Sequence, residues 1–398
     1  MRVLHLNTSA ADGGAAIAAS RIVAALQAQG VDATMLFASG LRHRWAFLWE
    51  RLRIFAANGF RRERLWQVDI ANAGVDVTRT ESFRKADVVH LHWVNQGFLS
   101  MDVIRRIMRS GKPVVWTMHD MWPVTAICHH ARTCQRFHSD CHNCPRLFHP
   151  AADDLAAKVF LQKREAYDGA PLAFVACSQW LAAEAQRSSL TRGHSVTAIP
   201  NTFPADIFHP GDSSEARRKL GLPDAPGPWL LFACQKVTNP RKGINLLLEA
   251  LTKLPRELGG LHVVVAGELA ESVAANIPYP VHALGYVRGE EAMANLYRAV
   301  DAFVTPSLEE NLPNTIMEAM ASGTPCVGFD IGGIPEMIVH ERTGYIARYA
   351  DTSDLAAGIA FVLRASGQLG IAAASTALDR WGAASVAGRY VSLYKSML

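Results

Sequence analysis

Two carboxylates, Glu310 and Glu318, stand with seven residues between them on either side of Pro313-Asn314-Thr315. The apolar run 302–305 ahead of them reads as a buried strand, 308–312 as a loop, and 313–322 as a helix. Proline suits its first turn, and Gly323 suits a left-handed stop. At such a junction the N–H groups of Asn314 and Thr315 have no intrahelical partner and form an anion site. Carboxylates beside a phosphate are costly unless they face hydroxyls, so a phosphate joined to a sugar or ribose fits the pattern. The competing reading leaves Glu309 and Glu310 as solvated loop charges and Glu318 as a first-turn partner of the helix dipole.

A second candidate is the cationic turn from Gln235 to Gly243, with Lys236, Arg241 and Lys242 ahead of a helix that runs to Ala250. Three cations there would neutralise a diphosphate and stabilise it as a leaving group; a solvated basic turn is the alternative. His92 and His119 follow the apolar runs 86–91 and 114–118. In parallel sheets, ligands collect beyond the carboxyl ends of strands, although a lone histidine is usually a structural hydrogen-bonder. Cys128, Cys134, Cys141 and Cys144 form a C-x5-C-x6-C-x2-C pattern, with His129, His130, His138 and His142 among them. Four thiolates so close in sequence can close a tetrahedral structural zinc site, which leaves no open position for catalysis. Packed thiols, disulfides or an iron–sulfur cluster are the alternatives, disulfides being disfavoured in a reducing compartment.

The elements that must position these groups alternate strand and helix. Strand 2–7 leads through Gly13-Gly14 into helix 17–29, which stops at Gly30; the glycine pair allows a tight turn or close approach of a ligand. It lacks the spaced glycines of a dinucleotide fingerprint. Further strands are expected at 172–178, 229–234, 262–267, 281–287 and 326–329. Residues 196–210, with two prolines and a change of composition, read as an inter-domain linker.

At 398 residues the chain is too long for one ordinary core, so two domains are expected. An apolar fraction of 49% indicates a globular chain, and a net charge of +4 gives no general case for nucleic acid. No apolar run reaches the roughly 18 residues of a membrane span, and 1–7 is too short for a signal peptide; cytoplasmic residence is the expectation. From Arg42 to Trp66, seven arginines alternate with aromatic and aliphatic residues. Such a segment can lie in a membrane interface and attract anionic lipid, or form a surface helix whose aromatic side faces the core.

The run Glu318-Ala319-Met320-Ala321-Ser322-Gly323-Thr324-Pro325, with Glu310 before it and Gly332-Gly333-Ile334-Pro335-Glu336 and Thr343-Gly344 after it, resembles the signature of the retaining, nucleotide-sugar-dependent glycosyltransferases of family 4. The likeness covers almost the whole chain, and is closest to the branch that builds bacterial exopolysaccharides such as colanic acid. It implies the α/β GT-B fold, two Rossmann-like doubly wound domains facing across a cleft. The domains would be an acceptor half at 1–200, a donor half at 201–375, and a terminal helix at 376–398 that returns to the first half.

By resemblance, Glu310 orients the donor sugar, Glu318 holds the ribose hydroxyls, and Lys242 binds the diphosphate with Asn314 and Thr315. Val287 lies against the base through its backbone. Thr117-Met118-His119-Asp120 resembles the motif whose histidine, His119, contacts the transferred sugar, and Gly14 lines the same region. The family's usual Gly-Arg ahead of the diphosphate lysine is missing; Lys236 stands near its place, and Arg241 is a second substitute. The implied reaction needs no catalytic metal and transfers a sugar to a saccharide hydroxyl, lipid-linked in many members, at the inner face of the membrane. Rival readings are an epimerase or hydrolase on the same fold, and a non-catalytic adaptor that binds membrane or protein partners.

Overall fold

The computed structural model describes every residue except 11–12 and 256–257, so part of the Gly13-Gly14 turn lies outside the described residues. The chain divides into two compact units, one of residues 1–201 with 386–398 and one of residues 202–385.

In the first unit, β1 (Arg2–Asn7), β2 (Asp32–Phe37), β3 (Val88–Leu91), β4 (Val114–Met118), β5 (Leu172–Ala176) and β6 (Ser195–Ala198) form one parallel sheet in the order β2-β1-β3-β4-β5-β6. β3, β4 and β5 are buried along their whole length. Their continuous apolar runs are the mark of strands covered on both faces. β2 was not anticipated, because its Asp-Ala-Thr-Met-Leu-Phe is only partly buried and its apolar run is limited to Met35-Leu36-Phe37. β6 corrects the linker reading of 196–198: its alternating, half-exposed residues form the sheet's edge.

The last helix, Ala383–Met397, follows Ser366–Trp381 after a break at Gly382. Tyr390 and Tyr394 are fully buried in the first unit. The Tyr394 hydroxyl lies 2.6 Å from His90 Nδ1, the Tyr390 hydroxyl 2.9 Å from Thr117 Oγ1, and Thr117 Oγ1 2.7 Å from His90 Nε2. Buried hydroxyls require such partners.

The second unit is another parallel sheet. It contains β7 (Trp229–Lys236), β8 (His262–Glu268), β9 (Val281–Gly285), β10 (Ala302–Thr305), β11 (Cys326–Phe329) and β12 (Gly344–Ala347), in the order β12-β11-β10-β7-β8-β9. β9 stops at Gly285, in the left-handed region at φ 62°, two residues short of the expected end. β7 runs on to Lys236 through an irregularity after Ala233. β12 was not anticipated. Strand order reverses between β7 and β10, the position at which open α/β sheets present a crevice beyond their strand ends.

Two glycines let the loops at that crevice touch. A Cβ on Gly243, at φ 73°, would stand 1.8 Å from the Pro306 carbonyl oxygen, and one on Gly332, at φ 58°, 1.9 Å from the Glu310 carbonyl oxygen. Both positions therefore require glycine on steric and backbone grounds. Gly243→Ala should cost about 1–3 kcal/mol from the left-handed backbone alone. The overlap adds to this, and urea unfolding of the variant would show it as a lower midpoint.

Candidate functional site

The β7 and β10 loops bring the candidate donor residues together. After β7, residues Pro240–Lys242 make one 3-10 turn, capped by the Asn239 side chain, which accepts from the Arg241 N–H at 3.1 Å. The Leu308 N–H donates to the Arg241 carbonyl at 2.8 Å and fixes the β10 loop against that turn. Lys242 Nζ is then salt-bridged to Glu310 Oε1, and Arg241 lies 3.9 Å from Glu309 Oε2. On its other side the β10 loop is held by Gly333, whose N–H donates to the Asn311 carbonyl at 2.9 Å. Glu309 and Glu310 thus have basic partners, which argues against leaving them as solvated loop charges.

Beyond the loop, helix Asn314–Ala321 begins with Pro313 at its cap rather than in its first turn, and without a side-chain cap. The start of such a helix carries the positive end of its dipole, which favours an anion. Asn314 and Thr315 are half-buried there. Glu318 lies on the buried face, where its Oε2 accepts from the Tyr297 hydroxyl at 3.0 Å. Tyr297 is itself fixed by Thr324, whose hydroxyl donates to the Tyr297 carbonyl at 2.7 Å. The dipole-partner reading of Glu318 is corrected: the carboxylate is built into the core and held in orientation. Lys236 is exposed at the end of β7, and Val287 is half-buried two residues past β9.

In the first unit, Gly14 opens helix Gly14–Ala28, three residues earlier than expected, after Gly13 at φ 89°. His119 joins a row of imidazoles at the strand ends. Its Nε2 lies 3.1 Å from His92 Nδ1, whose Nε2 lies 2.9 Å from His5 Nδ1. Burial pushes His119 down to about 4 against the pull of Asp120, and His5 down to about 3. At neutral pH the row is an uncharged hydrogen-bonded relay. Among the described residues, His5, His90 and His92 are the trio with ligand atoms all within 4.8 Å of one another. Both nitrogens of His90 and of His92 are already engaged in hydrogen bonds, which leaves only His5 Nε2 without a partner.

A buried charge network beside this row had no signal in the sequence. His129, one of the histidines interleaved with the cysteines, is held between two carboxylates: its Nδ1 is 2.6 Å from Asp120 Oδ2 and its Nε2 2.6 Å from Asp69 Oδ2. Asp120 also accepts from Trp93 Nε1 at 3.0 Å and the Trp122 N–H at 2.8 Å. Asp69 is salt-bridged to Arg51, and Glu50 accepts the Ile70 and Ala71 N–H groups at 2.7 Å. Burial alone would lower His129, but Asp120 and Asp69 raise it to about 10; burial would raise Asp120, but the His129 charge and hydrogen bond bring it down to about 2.

All seven cysteines are free thiols. Cys128, Cys134, Cys141 and Cys144 line one cavity of about 360 Å³ in the first unit. Burial pushes Cys141 up to about 12 and Cys144 up to about 11.

The segment after β2 forms helix Gly40–Ala57. Ala46, Glu50, Arg51 and Ile54 face inward, whereas Leu41 and Trp45 are each 71% exposed and Leu48, Trp49 and Leu52 more than half exposed. The expectation of an aromatic side turned to the core is therefore corrected.

Comparison with known proteins follows the same two halves. Residues 12–206 match the family model described as Glycosyltransferase Family 4, and residues 227–365 that described as Glycosyl transferases group 1. The chain is similar to the D-inositol 3-phosphate glycosyltransferase of Stackebrandtia nassauensis, 30% identical over 177 residues, 40% of this chain and 39% of that protein. It is likewise similar to that of Geodermatophilus obscurus, 32% identical over 187 residues, 42% of this chain and 39% of that protein. The chain thus spans about two fifths of the length of these relatives. Two solved structures share the fold. Sucrose-phosphate synthase from Thermosynechococcus elongatus has a TM-score of 0.69 at 17% identity, with 100% of this chain and 99% of that chain covered. Anabaena HepE in complex with UDP and glucose has a TM-score of 0.64 at 16% identity, with both chains covered entirely.

The network sets a pH dependence. A histidine raised on folding contributes stability that is complete below its unfolded value of about 6.5. That contribution is lost as pH rises toward 10. Wild-type unfolding free energy should therefore fall across this window. In His129→Asn the fall should be absent, and the variant should be about 3–5 kcal/mol less stable at pH 7 because two buried carboxylates lose their cation. Urea unfolding at several pH values measures both.

Proposed function

The chain belongs to the group 1 glycosyltransferases, and from that premise we propose that it transfers a sugar from a nucleoside diphosphate-sugar to a saccharide hydroxyl with retention of configuration. The observation that carries the reading is the convergence of Lys242, Glu310 and an uncapped helix start at the strand-order reversal of the second unit. Lys242, with Arg241 and Lys236 nearby, neutralises the diphosphate and eases its departure, and the Asn314 and Thr315 N–H groups bind its oxygens. Glu310 accepts hydroxyls of the donor sugar. Glu318, oriented by Tyr297, accepts the ribose hydroxyls. Val287 offers backbone groups to the base. In the first unit His119, neutral at physiological pH, offers a hydrogen bond to the transferred sugar, beside the backbone at Gly14. No step in this scheme calls for a metal.

The Lys242–Glu310 pair gives the scheme an electrostatic logic. A bound diphosphate competes with Glu310 for the ammonium, and the carboxylate so released is free to accept sugar hydroxyls. Charge neutralisation of the leaving group and orientation of the sugar are thereby coupled.

The proposed acceptor is a lipid-linked saccharide of a cell-surface polysaccharide, reached from the cytoplasmic face of the membrane. Its support is the helix Gly40–Ala57. At 100° per residue, Leu41, Trp45, Leu48, Trp49 and Leu52 occupy an arc of about 100°, and all are exposed. Arg42 and Arg53 flank one side of that arc and Arg44 the other. An apolar stripe edged by arginines suits the interface of an anionic bilayer. Among the described residues no single helix is long and apolar enough to cross a membrane; the contact proposed for Gly40–Ala57 is peripheral.

Thermal melting with millimolar uridine, guanosine or adenosine diphosphate tests the donor site, since a ligand of the folded state raises the midpoint. One nucleotide should stabilise the wild type and not Lys242→Ala. Glu318→Ala, which takes the Glu318 acceptor from the buried Tyr297 hydroxyl, should lose about 1–3 kcal/mol of stability and stay folded, and should lose about 10²–10³-fold in kcat/KM for donor turnover; free sugar released without acceptor dependence would indicate a hydrolase, and no turnover by the wild type an adaptor. For the membrane, sedimentation with vesicles rich in anionic lipid should capture the wild type and release the Trp45→Ser, Trp49→Ser double variant. Equal capture by neutral vesicles, or none by anionic ones, would refute the bilayer role.

A further inference from the structure

We propose that Cys128, Cys134, Cys141 and Cys144 bind one zinc ion as a structural tetrathiolate that fixes the loop between β4 and helix Leu155–Tyr167. Three independent features lead there. The first is need: from residue 119 to 154 the chain has no regular structure except the 3-10 turns Trp122–Val124 and Arg136–His138. Irregular loops longer than about 12–15 residues are uncommon in compact domains without a function or a clamp of their own.

The second is convergence. Although the four cysteines are spread along this loop, all of them line the same cavity. Two of the cysteine backbones are also pinned around it: the Thr125 hydroxyl donates to the Cys128 carbonyl at 2.6 Å, and the Cys144 N–H donates to Asp154 Oδ2 at 2.7 Å.

The third is charge. A zinc tetrathiolate carries a net charge of about −2, and its surroundings must compensate. Arg64, Arg136 and Arg146 line the cavity. Each directs its guanidinium at backbone carbonyls: Pro145 and Leu147 for Arg64, His142 and Asn143 for Arg136, His130 for Arg146. Their charge is therefore not cancelled by those bonds. Cations packed around neutral thiols would repel one another, and an anionic centre removes that conflict.

The sulfurs do not yet stand at ligand spacing, because among the described residues only the histidine trio closes within 4.8 Å. Zn–S bonds of about 2.3 Å in a tetrahedron require sulfurs under about 4 Å apart. Metal capture therefore draws the cavity walls inward and rigidifies the loop.

The test uses the full chain, expressed with zinc present and purified without chelator. Elemental analysis should find about one zinc per chain. Exchange with cobalt should give thiolate-to-cobalt charge transfer in the near ultraviolet and the intense visible bands of a tetrahedral site. Cys141→Ser should lose both signals, and Cys234→Ser, in the other unit, should keep them. Hydrogen exchange across 126–147 should slow when zinc is restored to the chelated wild type. A wild type without zinc and without cobalt bands overturns the proposal whether or not the variants fold. Iron with acid-labile sulfide, or only three of the seven thiols titrating after denaturation without reductant, overturns it in favour of an iron–sulfur cluster or two disulfides.

Discussion

The second unit depends on one constraint of backbone contact. β7 and β10 are neighbours in a parallel sheet, yet the chain crosses to opposite sides after them, so the two following loops must share the space beyond the strand ends. They can do so only because Gly243 has no Cβ to meet Pro306, and the loop after β11 closes on them only because Gly332 has none to meet Glu310. From that contact come the Leu308–Arg241 hydrogen bond, the Lys242–Glu310 ion pair and the aim of the helix start at Asn314. The site's electrostatics follow from sheet topology rather than from any single reactive side chain.

The first unit solves a different problem. Its strand ends are crowded with polar side chains, and each finds a partner far away in the sequence. His90 is satisfied by Tyr394 from the last helix, and His129 by Asp69 and Asp120. Burying that charge cluster is tolerable because every carboxylate meets a cation or a backbone donor. The same packing neutralises the imidazole row, so His119 presents a hydrogen-bonding group rather than a charge.

How far the sequence spoke depended on whether the signal was local. Buried parallel strands such as β4 and β5 were legible, because residues covered on both faces must be apolar without interruption. Three of the four edge strands, β2, β6 and β12, were not, since half-exposed strands carry mixed residues like those of loops; β9, the fourth, was legible from a short apolar stretch ending in glycine. Within the site, the basic turn, the loop carboxylates and the helix start lie in two short segments whose chemistry is plain in either alone. The pairing of Lys242 with Glu310 joins residues far apart in the chain, and only the fold could show it. The network of Glu50, Arg51, Asp69, Asp120 and His129 had no periodic or motif signal. The arginine-rich segment was seen, but which face it buries depended on tertiary contacts at Glu50 and Arg51.

In the proposed function the crevice between the β7 and β10 loops holds the nucleoside diphosphate of the donor. Amide hydrogen exchange, with and without a saturating nucleoside diphosphate-sugar, tests it most directly because it reports where binding orders the backbone. Slowed exchange is expected in 236–243 and 308–318, with the effect abolished in Lys242→Ala. Protection confined to other segments, or unchanged by that substitution, would contradict it.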